Sequence, residues 1–204
     1  MGLFDRFKKK EAAPVATPAP VIQPEPEKKG PKICLDEDVL MAGIPTDFDE
    51  SDDNEAYWDE LEEIKENWDE DPEGSFEKML TLAKAGASSA MFWVAAAYER
   101  GNGAPRDDEE FHRWLWRCMY AGDSAACGMA AGCYAYGDDI VPQDIVKAFE
   151  LYLKAYRLSD EAEFRRDDVE EIINSITQGT FELLYDGTPQ QALEITKMYK
   201  DYLG

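Results

Sequence analysis

From Asn54 onward the apolar positions recur with helical spacing. Tyr57, Leu61, Ile64 and Trp68 are separated by four, three and four residues, which sets them on one face of a helix over Asn54–Trp68. The opposite face is almost wholly Asp and Glu. A second helix is predicted over Phe76–Ala85. Phe111, Trp114, Leu115 and Cys118 then form one apolar stripe, and Ile145, Phe149, Tyr152, Leu153 and Tyr156 form another. Helices over Glu161–Gln178 and Pro189–Leu203 complete the pattern. Thr188-Pro189 opens the last of them, with Gln191 placed for a capping box. The chain is therefore expected to be all-α.

Part of this pattern repeats. Ala90, Ala95, Tyr98 and Gly101 recur 36 residues later as Ala126, Ala131, Tyr134 and Gly137. One extra residue enters the second loop, after which Pro105 and Asp107 correspond to Pro142 and Asp144. The turn Ala121-Gly122-Asp123 has counterparts in Ala85-Gly86-Ala87 and Leu158-Ser159-Asp160. The chemistry of these positions is consistent. Small residues in the first helix of each pair allow two helices to approach closely. Gly101 and Gly137 suit a left-handed C′ position. Asp107 and Asp144 suit helix N-caps, and Glu110 stands three residues past Asp107 as in a capping box. A single helix pair cannot bury its apolar faces alone, so neighbouring pairs must stack.

These residues resemble the Sel1-like repeat family, a relative of tetratricopeptide arrays. Tyr98, Gly101, Asp107 and Gly122 match that family's repeat directly, as do Tyr134, Gly137 and Asp144; Val94-Ala95 and Ala130-Ala131 stand where Leu-Gly is usual. The best repeats are 90–123 and 126–160, with weaker pairs on either side. The resemblance implies a right-handed solenoid of about four antiparallel helix pairs over residues 54–204, and a role in protein–protein interaction.

Upstream of the helices the composition changes. Residues 1–10, MGLFDRFKKK, form a short basic tag in which Leu3, Phe4 and Phe7 share one helical face. It is expected to be disordered and to make at most weak peripheral contact with a membrane. Residues 11–34 are a Pro-rich linker, expected to be extended. Residues 35–53 are an acidic lead-in whose order the pattern leaves open. The net charge of -23 is unevenly spread: +3 over residues 1–34, -17 over 35–74 and -9 over 75–204. Such a chain is repelled by nucleic acid and attracts a basic protein surface, with an encounter rate that falls as salt rises. No apolar run approaches the ~20 residues that span a bilayer, and no signal-peptide core is present. The four cysteines include no C-x-x-C pair. A cytoplasmic protein with reduced thiols is expected.

Candidate chemistry is sparse. His112 is the sole histidine, and neither G-x-S-x-G, a Walker glycine loop nor H-E-x-x-H occurs. The spacing of Cys, His, Asp and Glu marks no metal site. No enzyme activity and no cofactor are expected. The aromatic surplus is more informative. Trp114 falls on the core stripe, whereas Trp116 lies with His112 and Tyr120 on a second face. In the family the first helices tend to line the concave side, so Trp93, Arg100, Met129 and Tyr136 are expected to bind a partner, aromatics and Arg being the usual anchors of such surfaces; Trp116, on a second helix, either joins these partner-binding residues or is covered by a neighbouring helix of the stack. Two functions follow. The chain is an adaptor or scaffold, or it is an acidic immunity or inhibitor protein that masks a basic toxin or enzyme.

Overall fold

The structure is a computed structural model that describes residues 30–159 and 162–204; side chains are described from residue 166 onward in the second stretch. The basic tag and most of the Pro-rich linker lie outside the described residues. All regular structure among the described residues is helical: α1 (Glu37–Leu40), α2 (Glu55–Glu66), α3 (Pro72–Lys84), α4 (Ser88–Arg100), α5 (Asp108–Tyr120), α6 (Ser124–Tyr136), α7 (Ile145–Leu158), α8 (Ala162–Gln178), α9 (Phe181–Tyr185) and α10 (Pro189–Leu203). Each of α2 to α7 packs on its chain neighbour, α8 packs on α7, and α10 closes against α7 and α8. No helix among the described residues is long and apolar enough to cross a membrane.

Small residues set the spacing of this stack. Ala90 and Ala95 of α4 and Ala126, Ala130 and Ala131 of α6 are all buried. The α6 sequence is apolar on nearly every side; α5 and α7 pack against it, and the side through Met129, Gly132 and Tyr136 stays open. Trp114, Leu115, Cys118, Phe149 and Leu153 share one buried core with Val94 and Met91.

Helix ends follow local chemistry. Asp107 accepts from the amides of Glu109 and Glu110 at 3.0 Å, Asp123 from Ala126 at 2.7 Å and Asp144 from Lys147 at 3.3 Å. The Thr188–Gln191 capping box is formed in both directions. At Asp107 the box is absent, because the Glu110 carboxylate is drawn to the Arg113 guanidinium at 2.8 Å instead. Gly101 adopts the left-handed cap at φ 67°, ψ 39°; Gly137 also has positive φ but an extended ψ of 156°, since its loop turns back to bond Asp138 N–H to Val141 O. Helix α3 starts four residues before the predicted Phe76, because Asp71 caps it and Pro72 occupies its first turn.

Residues 30–53 cross the stack as an irregular strap. Lys32 N–H donates to Ile140 O at 2.8 Å, Tyr120 Oη–H to Leu35 O at 2.8 Å and Arg117 Nε–H to Leu40 O at 3.0 Å. The strap then passes over the turn at Gly86, which has φ 106° and no room for a side chain: an added Cβ would lie 2.3 Å from Pro45 O. It ends at Glu50, whose carboxylate accepts from Ser88 N at 2.8 Å, Ser88 Oγ at 2.6 Å, Ser89 N at 2.9 Å and Tyr57 Oη at 2.9 Å. Glu50 therefore satisfies the exposed amides at the start of α4, where Ala87 offers no capping side chain.

Candidate functional site

The repeat register defines a face. Trp93 and Met129 occupy corresponding positions in α4 and α6, as do Arg100 and Tyr136, each pair separated by the repeat length. Within each helix the two residues stand seven apart, two turns along one side. The side between them carries Ala96 and Gly132, so nothing bulky divides the pair. Tyr136 is 74% exposed and Met129 36%, both unusual for large apolar side chains, and Arg100 is exposed.

Trp93 is half-buried. Its ring lies 5.8 Å from that of Trp68, and Lys65 Nζ sits 5.6 Å from its centroid. Lys65 also pairs with Glu62 on the same helix. The neighbouring surface of α2 exposes Glu55, Asp59, Glu60, Glu62, Glu63 and Glu66. A strongly acidic helix thus borders an aromatic and aliphatic patch, and Lys65 is the one basic group that α2 supplies.

Trp116 does not belong to this face. It is 2% exposed, with its ring 5.8 Å from Tyr134 and 5.7 Å from His112, and it offers no surface to a partner. The second face of α5 is covered because α5 is packed by α4 on one side and α6 on the other. Even Arg117 is drawn inward, its guanidinium 4.4 Å from the Trp114 ring centroid and its Nε–H bonded to the strap.

Two other places gather polar side chains. An open groove of about 840 Å³ lies between the start of α3 and the α4–α5 loop, lined by Asp71, Glu73, Phe76, Leu80, Tyr98 and Asn102. Burial and the nearby Glu110 and Asp107 raise the Tyr98 phenol, and the charged groups of the lining, Asp71, Glu73 and Glu77, are all carboxylates. The second is a meeting of His112, Cys133 and Asp138, whose ligand atoms lie within 4.8 Å of one another. Their separation along the chain matches no ligand motif, so only the packing of α5 against the end of α6 brings them together.

A family model for the Sel1 repeat matches residues 88–115 and 123–160. No curated protein and no solved structure matches the chain. The two matched segments begin at the start of α4 and at the N-cap of α6, and each runs through the loop into the second helix of its pair.

Proposed function

Because the chain is a Sel1-like repeat protein, and Sel1 repeats are generally protein–protein interaction modules and typically non-catalytic, we propose that the α4–α6 face binds a partner protein and that the chain serves as an adaptor rather than an enzyme. The observation that carries this reading is the doubled presentation of Trp93 with Met129 and of Arg100 with Tyr136, two of them large and exposed apolar groups, on the first helices of successive repeats. Beside them, the acidic surface of α2 selects a partner that is basic where it meets residues 55–66. The same acidity favours a second reading, in which the chain masks a basic enzyme by competing with a phosphate backbone. We assign the protein to the cytoplasm, where thiols such as the buried Cys118 stay reduced.

The test is affinity capture from the native cell with the full chain, Tyr136→Ala and Arg100→Ala in parallel, read by quantitative mass spectrometry. A protein retained by the wild type should be lost by roughly tenfold or more from each variant, since anchors of this kind carry about 1.4 kcal/mol or more. Both variants should melt at the wild-type temperature, because both side chains face solvent. Raising salt should weaken the complex. Equal capture by all three proteins would end this reading. A captured nuclease or other basic enzyme whose activity falls on binding would favour the inhibitor.

A further inference from the structure

His112 sits in the second turn of α5 with its side chain 4% exposed. Its Nδ1 lies 2.6 Å from the Asp108 carbonyl oxygen, and its Nε2 lies 2.9 Å from Asp138 Oδ2. A neutral imidazole has one N–H. If Nδ1 carries it, the Nε2 lone pair faces a carboxylate oxygen. If Nε2 carries it, the Nδ1 lone pair faces a carbonyl oxygen. Either tautomer sets two acceptors against each other at hydrogen-bond distance, and a cation at Nε2 removes the conflict. A third donor stands at the same place: Cys133 Sγ, from the last turn of α6, lies within 4.8 Å of both other ligand atoms.

We propose that His112 Nε2, Cys133 Sγ and Asp138 Oδ2 bind a divalent metal ion of the zinc class. A proton alone satisfies His112 and Asp138 but gives the sulfur no part. The mixed nitrogen, sulfur and oxygen set suits zinc and its neighbours and is foreign to calcium or magnesium. The supporting contacts fit the same reading. Nδ1–H donates to Asp108 O and fixes the tautomer that presents Nε2. Asp138 Oδ1 accepts from the amides of Ile140 and Val141, each at 2.7 Å, which aims Oδ2 at the ring. Three protein ligands leave the fourth position of a tetrahedral ion to water, on the side where Asp138 is 37% exposed. Binding exchanges the Cys133 S–H bond for a sulfur–metal bond and releases that proton to solvent. The ion joins α5 of one repeat to α6 and the loop of the next.

The full chain, without a polyhistidine tag and stripped of metal, is titrated with Co²⁺ and then with Zn²⁺. The expected result is one equivalent of Co²⁺ with a thiolate-to-cobalt charge-transfer band and tetrahedral d–d absorption, both bleached by Zn²⁺. Cys133→Ser should abolish the charge-transfer band, and His112→Gln should weaken binding by roughly 100-fold. Cys34→Ser, which alters the exposed cysteine, should leave both spectrum and affinity unchanged. Cys133→Ser differs by one atom and keeps the test valid if His112→Gln does not fold. A wild-type protein that is folded by circular dichroism and gives no charge-transfer band overturns the assignment. A band that survives Cys133→Ser or disappears with Cys34→Ser does so as well.

Discussion

Glu50 joins two regions of the chain through one carboxylate. Burial on its own raises the pKa of this group; the Ser88 hydroxyl and the amides of Ser89 and Ser88 outweigh it and hold Glu50 below the ordinary glutamate value of 4.5. A carboxyl group depressed in the folded state stabilises the fold above its unfolded pKa, and that contribution is lost as pH falls through the folded value. Glu50→Gln should lower stability at pH 7 by about 1–2 kcal/mol, as loss of a charged N-cap does, and should flatten the decline in melting temperature below pH 4.5. Thermal melts of both proteins from pH 7 to pH 3 measure this. The caps at Asp107, Asp144 and Thr188 were legible in the sequence because each cap and its target amides lie within three residues. Glu50 stands 38 residues from Ser88, and no local signal connects them. The burial of Trp116 stood in the sequence only as one of two readings: one helix's periodicity reveals its first packed face, and the second is decided only by the neighbour that covers it.

At the scale of elements, close approach of backbone explains more than propensity does. Gly103, at φ 87°, lets the α4–α5 loop rest on the first turn of α3; an added Cβ would lie 2.5 Å from Pro72 O and 2.8 Å from Phe76 Cβ. Gly103→Ala should cost about 2 kcal/mol or more, from positive φ together with overlap against backbone, and denaturant titration should show a lower midpoint at an unchanged slope. Gly122 also has positive φ but has open space around it, which provides a control for the φ contribution alone. The two matched repeats could be read from their 36-residue spacing because their small, aromatic and capping positions recur together. Helix α9 escaped notice because its five residues are too few to show a period. The ligand cluster was hidden as well, since His112 and Cys133 meet only when α5 and α6 are side by side.

At the scale of the molecule, the strap changes the character of the stack. Repeat arrays are held together by contacts between neighbours, whereas residues 30–53 touch the α6–α7 loop, α5, the α3–α4 turn and the start of α4 in succession. Leu40, 4% exposed, is its anchor. Leu40→Ala should destabilise the protein by about 2–3 kcal/mol and speed proteolytic cleavage between residues 41 and 53, followed by timed digestion and mass mapping. The charge count of the sequence singled out this segment, but its apolar residues have no period, so its path was not legible. That path has a consequence for synthesis on the ribosome. Lys32 is made more than a hundred residues before Ile140, the group that accepts its N–H. At ~5–20 residues per second the wait is roughly 5–20 s. Leu35 and Leu40 can meet α5 once Tyr120 and Arg117 are made, but Lys32 must wait for the α6–α7 loop, so the strap docks from its later residues to its earlier ones.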